Sequence, residues 1–158
     1  MKVLPILVCV LFLMASLAAV SAAGGPTTVF APSNVTITPP DPGLPQEVRA
    51  FFGETGKWWG TWYGTPPGRM EAILIIKKIL DSERAEIMYI VPDYPTWGVR
   101  SVAAERLARF EKRDGRLYLT VPPSRNGQRM EFTFDTGAFV GIIEGPYLVA
   151  NIVWETLK

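Results

Sequence analysis

The chain has 158 residues, with 16 Lys and Arg against 15 Asp and Glu, one cysteine and no histidine. Without histidine it cannot carry Ser-His-Asp or Cys-His nucleophile systems as usually built, or a His-containing zinc site, though a carboxylate pair or a Ser-Lys arrangement stays open. Near-balanced charge gives no electrostatic reason to bind nucleic acid or an anionic membrane, and nothing in the composition calls for a metal or a cofactor.

Residues 1–22 read as a signal peptide. Lys2 supplies a short positive start, residues 3–20 carry no charge, and the small residues Ser21, Ala22 and Ala23 offer a cleavage point after Ala22 or Ala23. The rival is an uncleaved anchor, since the apolar run is just long enough to span a thin bilayer. Pro5 within it and the small residues at its end favour cleavage. The expected location is therefore extracytoplasmic, periplasmic or secreted, with no membrane insertion once the peptide is removed. Cleavage takes away Lys2 and Cys9 and leaves 15 basic and 15 acidic side chains. An exported chain without cysteine has no disulfides, so burial and strand pairing must hold it.

Residues 23–46 are rich in Pro, Thr and Gly, with Pro39, Pro40, Pro42 and Pro45 close together. They read as an extended spacer that builds neither helix nor sheet. Asn34-Val35-Thr36 is a glycosylation acceptor in a host that uses such triplets. Residues 46–52 suit one helical turn, with Phe51 and Phe52 as an apolar plug at the entrance to a domain covering 47–158.

Strand signals begin after Gly56. Residues 57–65 are aromatic and threonine-rich, and Pro66-Pro67-Gly68 turns the chain into the apolar runs 69–80 and 85–91. A long loop follows, holding Tyr94, Trp97 and Arg100. Residues 102–113 are ambiguous, because Ala103, Leu107 and Phe110 stand at helical spacing among good helix formers. A hairpin about Asp114-Gly115 explains more. It sets Arg113 opposite Arg116 and Phe110 opposite Leu119, and gathers Ala108, Phe110, Leu117, Leu119 and Val121 on one face. Arg109, Glu111, Arg113, Arg116, Tyr118 and Thr120 fall on the other, a separation that favours strands. Three further strands follow, divided at Asn126-Gly127, Thr136-Gly137 and Gly145-Pro146.

Eight strands with tight turns and no sizeable helix predict an all-β fold, an antiparallel up-and-down barrel that covers every apolar face and leaves no open edge. A β-sandwich is the alternative.

The most distinctive string is Gly56-Lys57-Trp58-Trp59-Gly60-Thr61-Trp62-Tyr63-Gly64. Period two puts Trp58 and Trp62 on one side with Gly60 and Gly64, where glycines let opposing chains approach. The two indoles are either core plugs or the aromatic floor of a ligand site. With the eight-strand reading, this string resembles the calycin superfamily of lipocalin-like barrels, through Gly56-Lys57-Trp58 and its echo Gly60-Thr61-Trp62. It looks closest to small calycin-like domains of exported bacterial proteins, where an aromatic turn like Phe51-Phe52 precedes the first strand. Gly60-Thr61-Trp62-Tyr63 is also similar to a string of the avidin group, without the polar residues a biotin site needs. The resemblance implies a shape and no particular chemistry.

Arg106 shares a face with Ala104 and Ala108 and can meet a ligand carboxylate or phosphate, an inward carboxylate such as Glu144, or solvent at the rim. Tyr94, Trp97 and Arg100 can form a lid or fold back to close that end of the core. The glutamates are too scattered to nominate a catalytic pair. The expected function is an exported barrel binding a small apolar or amphipathic ligand at Trp58, Trp62, Tyr94, Trp97, Arg100 and Arg106. The alternatives are an accessory module with a filled barrel that docks on another exported protein, and a histidine-independent isomerase or cyclase.

Overall fold

In the computed structural model, which describes residues 29–123 and 127–158, the period-two patterning resolves into eight strands that close on one another. They are β1 (Lys57–Thr65), β2 (Gly68–Ile79), β3 (Arg84–Val91), β4 (Val102–Arg113), β5 (Arg116–Val121), β6 (Arg129–Asp135), β7 (Ala138–Gly145) and β8 (Leu148–Thr156). Each pairs antiparallel with its chain neighbour, and β8 returns to β1 through pairs from Trp58↔Thr156 to Thr65↔Val149. The fold is thus the up-and-down barrel that the turns imply, not a sandwich. The expected signal peptide and the Asn126 half of the expected Asn-Gly turn lie outside the described residues.

The ambiguous segment is strand β4, and its hairpin register is the one that sorts polar from apolar: Arg113↔Arg116, Lys112↔Leu117 and Phe110↔Leu119. Asp114 and Gly115 both take positive φ, 52° and 75°, as a two-residue hairpin turn requires. Thr120 departs from the expected polar face by being buried; its hydroxyl lies 3.3 Å from the Arg109 carbonyl oxygen and 3.1 Å from a Glu111 carboxylate oxygen. Around it the outer face of β4 to β7 carries cross-strand ion pairs, Arg113–Glu131 at 2.7 Å and Arg116–Asp135 at 2.9 Å.

One end of the barrel is plugged. A helical turn α1 (Gln46–Arg49) runs into a 3-10 turn (Ala50–Phe52), burying Phe51 and Phe52 as the sequence suggests. Phe51 meets Phe110, Phe134 and Phe139 edge-on, with ring centroids 5.2–5.6 Å apart. The Trp58 indole N–H donates to the Phe51 carbonyl at 2.9 Å and ties the plug to β1.

The Pro/Thr-rich segment forms no helix or strand between Val29 and Pro45, yet it is not a free spacer. Val29, Ala31, Val35 and Ile37 pack on the outer face of the barrel against Ile73, Ile75 and Ile90, which are buried there. A bulge in β2 makes this possible. The ladder to β3 skips Lys77 between Ile76↔Ile87 and Lys78↔Glu86, and the Lys77 carbonyl accepts the Thr38 N–H at 2.8 Å.

Candidate functional site

The two ends of the barrel differ because the strands differ in length. The β3–β4 ladder continues to Val91↔Val102, whereas β4 and β5 pair only from Arg113↔Arg116 to Arg109↔Thr120. Pro122 and Pro123 end β5, since proline has no N–H to continue a ladder. Among the described residues, the upper part of β4 therefore has a strand neighbour on one side only.

At this gap lies a cavity of about 210 Å³. Six strands contribute to its wall: Tyr89 and Val91 from β3, Val102, Ala104 and Arg106 from β4, Val121, Met130, Ile143 and Leu148 from β5 to β8. Gly98, Val99 and Arg100 from the β3–β4 loop and Pro122 and Gln128 from the β5–β6 connection complete it. The surface is mainly apolar, with the polar groups of Arg100, Arg106, Gln128 and Tyr89. None of its described residues is Asp or Glu, so none of Glu54, Glu71, Glu86, Glu105, Glu131 and Glu144 lines it. Among the described residues no cluster of His, Cys, Asp or Glu is placed to hold a metal ion.

Of the six residues the sequence nominates, Arg100 and Arg106 line this cavity. Arg106 is on the inward-facing register of β4, as expected, but the missing neighbour leaves it exposed at the rim. Its guanidinium donates to the Glu105 carbonyl at 2.9 Å, and it also borders an outer groove with Glu86 and Glu105.

Tyr94 and Trp97 fold back instead of forming a lid. The Trp97 indole N–H donates to the Pro66 carbonyl at 2.7 Å, and the Tyr94 hydroxyl accepts the Arg69 N–H at 3.1 Å. Their rings meet edge-on 5.0 Å apart, so the loop is stapled to the β1–β2 turn. Gly68 permits this, because a Cβ there would strike the Tyr94 hydroxyl. Asp93 closes the base of the loop by accepting the Ser101 N–H at 2.6 Å.

Trp58 and Trp62 do not line the cavity. Trp58 sits at the plugged end, and Trp62, with no exposed surface, packs edge-on against Trp154 at 6.1 Å. Gly60 lies between them for the anticipated reason, since a Cβ would meet Ile152 and the Val153 carbonyl oxygen at under 3 Å. The two indoles differ in hydrogen bonding. A buried N–H should find an acceptor, and Trp58 does, but the Trp62 indole N–H, the Tyr89 hydroxyl and the Trp154 indole N–H have no partner in the protein. Trp62 lies near enough to ease the Tyr89 ionisation slightly, but the pair does not reach hydrogen-bonding geometry. Burial dominates and pushes the Tyr89 phenol well above its ordinary range.

Tyr89, Met130, Ile143 and Leu148 carry no mark in the sequence, since each is one more inward residue of its strand. Only the pairing order brings them to one rim. Comparison with protein-family models, curated proteins and solved structures finds no match to this chain.

Proposed function

We propose that this chain is an exported β-barrel that binds a small apolar or amphipathic molecule at its open mouth. The cavity between β4 and the ends of β5 to β8 carries the reading, because it joins an apolar wall to a few polar groups, the usual make-up of a small-molecule site. Its size limits the guest. At about 210 Å³ it falls below the roughly 300–1,000 Å³ of pockets for drug-sized ligands, so it suits a short molecule or one end of a longer one. Export rests on the uncharged run and small-residue site of residues 1–23. Kinship with calycin-like barrels belongs to the same proposal, supported by the Gly-x-Trp strings of β1 and the aromatic turn before it.

The mouth is tested by uptake of the neutral probe N-phenyl-1-naphthylamine. Ala104→Trp fills the cavity from a partly exposed position and should abolish the fluorescence gain, while Trp62→Phe, beneath the cavity, should keep it. Equal uptake by the wild type and Ala104→Trp would sink the reading. For export, N-terminal sequencing from the native host should find a start near Ala23 or Gly24. Membrane-bound material starting at Met1 or Lys2 would remove that part.

A second reading, docking on another exported protein, is favoured by one observation. The outer face of β8 and β1 exposes Val149, Val153 and Tyr63, and Tyr147 beside it is 91% exposed. The isomerase or cyclase reading needs a carboxyl group in the cavity, and none of the described lining residues supplies one.

A further inference from the structure

The mouth sets two arginines beside an apolar wall whose described lining includes no acidic side chain. On the outer faces Arg84, Arg113, Arg116 and Arg129 each hold a carboxylate oxygen at 2.6–3.5 Å. Arg100 and Arg106 form no such pair among the described residues, and no acidic side chain lines the cavity beside them. Both border the short stretch of rim that includes Val102 and Ala104, one from the loop and one from the inward register of β4. Arg106 gives one N–H to the Glu105 carbonyl, which leaves most of its five donors for another acceptor. The nearby Glu105 is itself held by Lys77 in an ion pair.

We propose that the mouth selects anionic amphiphiles, whose apolar portion enters past Val102, Ala104 and Met130 while a carboxylate or phosphate head is held by Arg100 and Arg106. This rests on the ligand reading of the same cavity. Guanidinium groups bind planar carboxylates and phosphates through paired, charge-assisted hydrogen bonds, and the apolar wall beside them weakens competition from water. With no acid on the lining to repel the head, an anion is favoured over an alcohol of equal length. A cation of equal length is disfavoured.

The test uses the mature protein loaded with N-phenyl-1-naphthylamine and displaced by ten-carbon competitors differing only in the head. Decanoate and decyl phosphate are compared with decanol and decyltrimethylammonium, all below their micelle concentrations. The expected result is displacement by at least one anion at about tenfold lower concentration than decanol, with the cation weakest; comparing the two anions separates a carboxylate from a phosphate source. Arg100→Gln/Arg106→Gln should erase that advantage, so that the anions displace the probe no better than decanol does, and leave the urea midpoint near that of the wild type. In the wild type the advantage should shrink between 0.05 and 0.5 M salt as screening grows. Decanol matching both anions, or an anion advantage that survives the double substitution, would overturn the proposal while leaving the mouth as a ligand site. Absence of probe uptake by the wild type would overturn both.

Discussion

Tyr89 is the residue whose surroundings have the clearest thermodynamic consequence. Its side chain is 7% exposed, its hydroxyl lacks a protein partner, and burial favours the neutral phenol. In the unfolded chain a tyrosine ionises near about pH 10. Because the folded phenol ionises higher, its contribution is fully present below about pH 10 and is lost as pH rises above that value. The slope approaches about 1.4 kcal/mol per pH unit. Between pH 9 and 11, urea unfolding should therefore show the wild type losing about 1 kcal/mol more than Tyr89→Phe, which lacks the titrating group. Parallel losses would mean that Tyr89 is solvated. Its position could not be read from the sequence, because tyrosine in a strand satisfies either face.

Among the elements, the hairpin of β4 and β5 was legible and the N-terminal strap was not, for related reasons. The hairpin declares itself through Asp114-Gly115 and through an alternation that sorts both strands at once. The strap lacks a ladder, and its prolines dominate the composition. Two signals nevertheless point to it. Apolar residues recur at odd positions, Val29, Ala31, Val35 and Ile37, and β2 is apolar without alternation over residues 72–76, all of them buried. A strand buried on both faces needs cover outside the barrel as well as within, and the strap supplies it at Ile73 and Ile75. Ile37→Asp, which would set a charge against that contact, should cost about 2 kcal/mol or more. Thr36→Asp, one residue away and exposed, should stay within about 0.5 kcal/mol. Urea midpoints of the two variants give the comparison, and two silent substitutions would return the segment to a spacer.

At the scale of the molecule, the barrel followed from strand count and turn type, while the site followed only in part. Arg100 and Arg106 were identifiable as cations on a loop and on an inward register, but the aromatics nominated with them serve the core and the loop staple. What hid the mouth was the mismatch between a twelve-residue β4 and a six-residue β5, a property of paired lengths that no single segment displays. The closed interior has a direct optical check. Trp58, Trp62, Trp97 and Trp154 are buried and Trp59 is half-buried, so acrylamide should reach chiefly one of the five indoles. Ready quenching of four or five would be incompatible with a closed barrel.

The pairing of β8 with β1 also imposes an order in time. Every other ladder joins strands that follow one another along the chain, so those hairpins can form as soon as their residues are available. The seam between Trp58↔Thr156 and Thr65↔Val149 joins the first strand to the last, and such distant pairing is slow to form. Until then Trp62 and Trp154, which meet across that seam, lack their contact with each other. A growing chain must carry the unclosed edges of the sheet until its final strand is released. That interval, more than the finished barrel, is when unpaired strand edges expose the chain to aggregation.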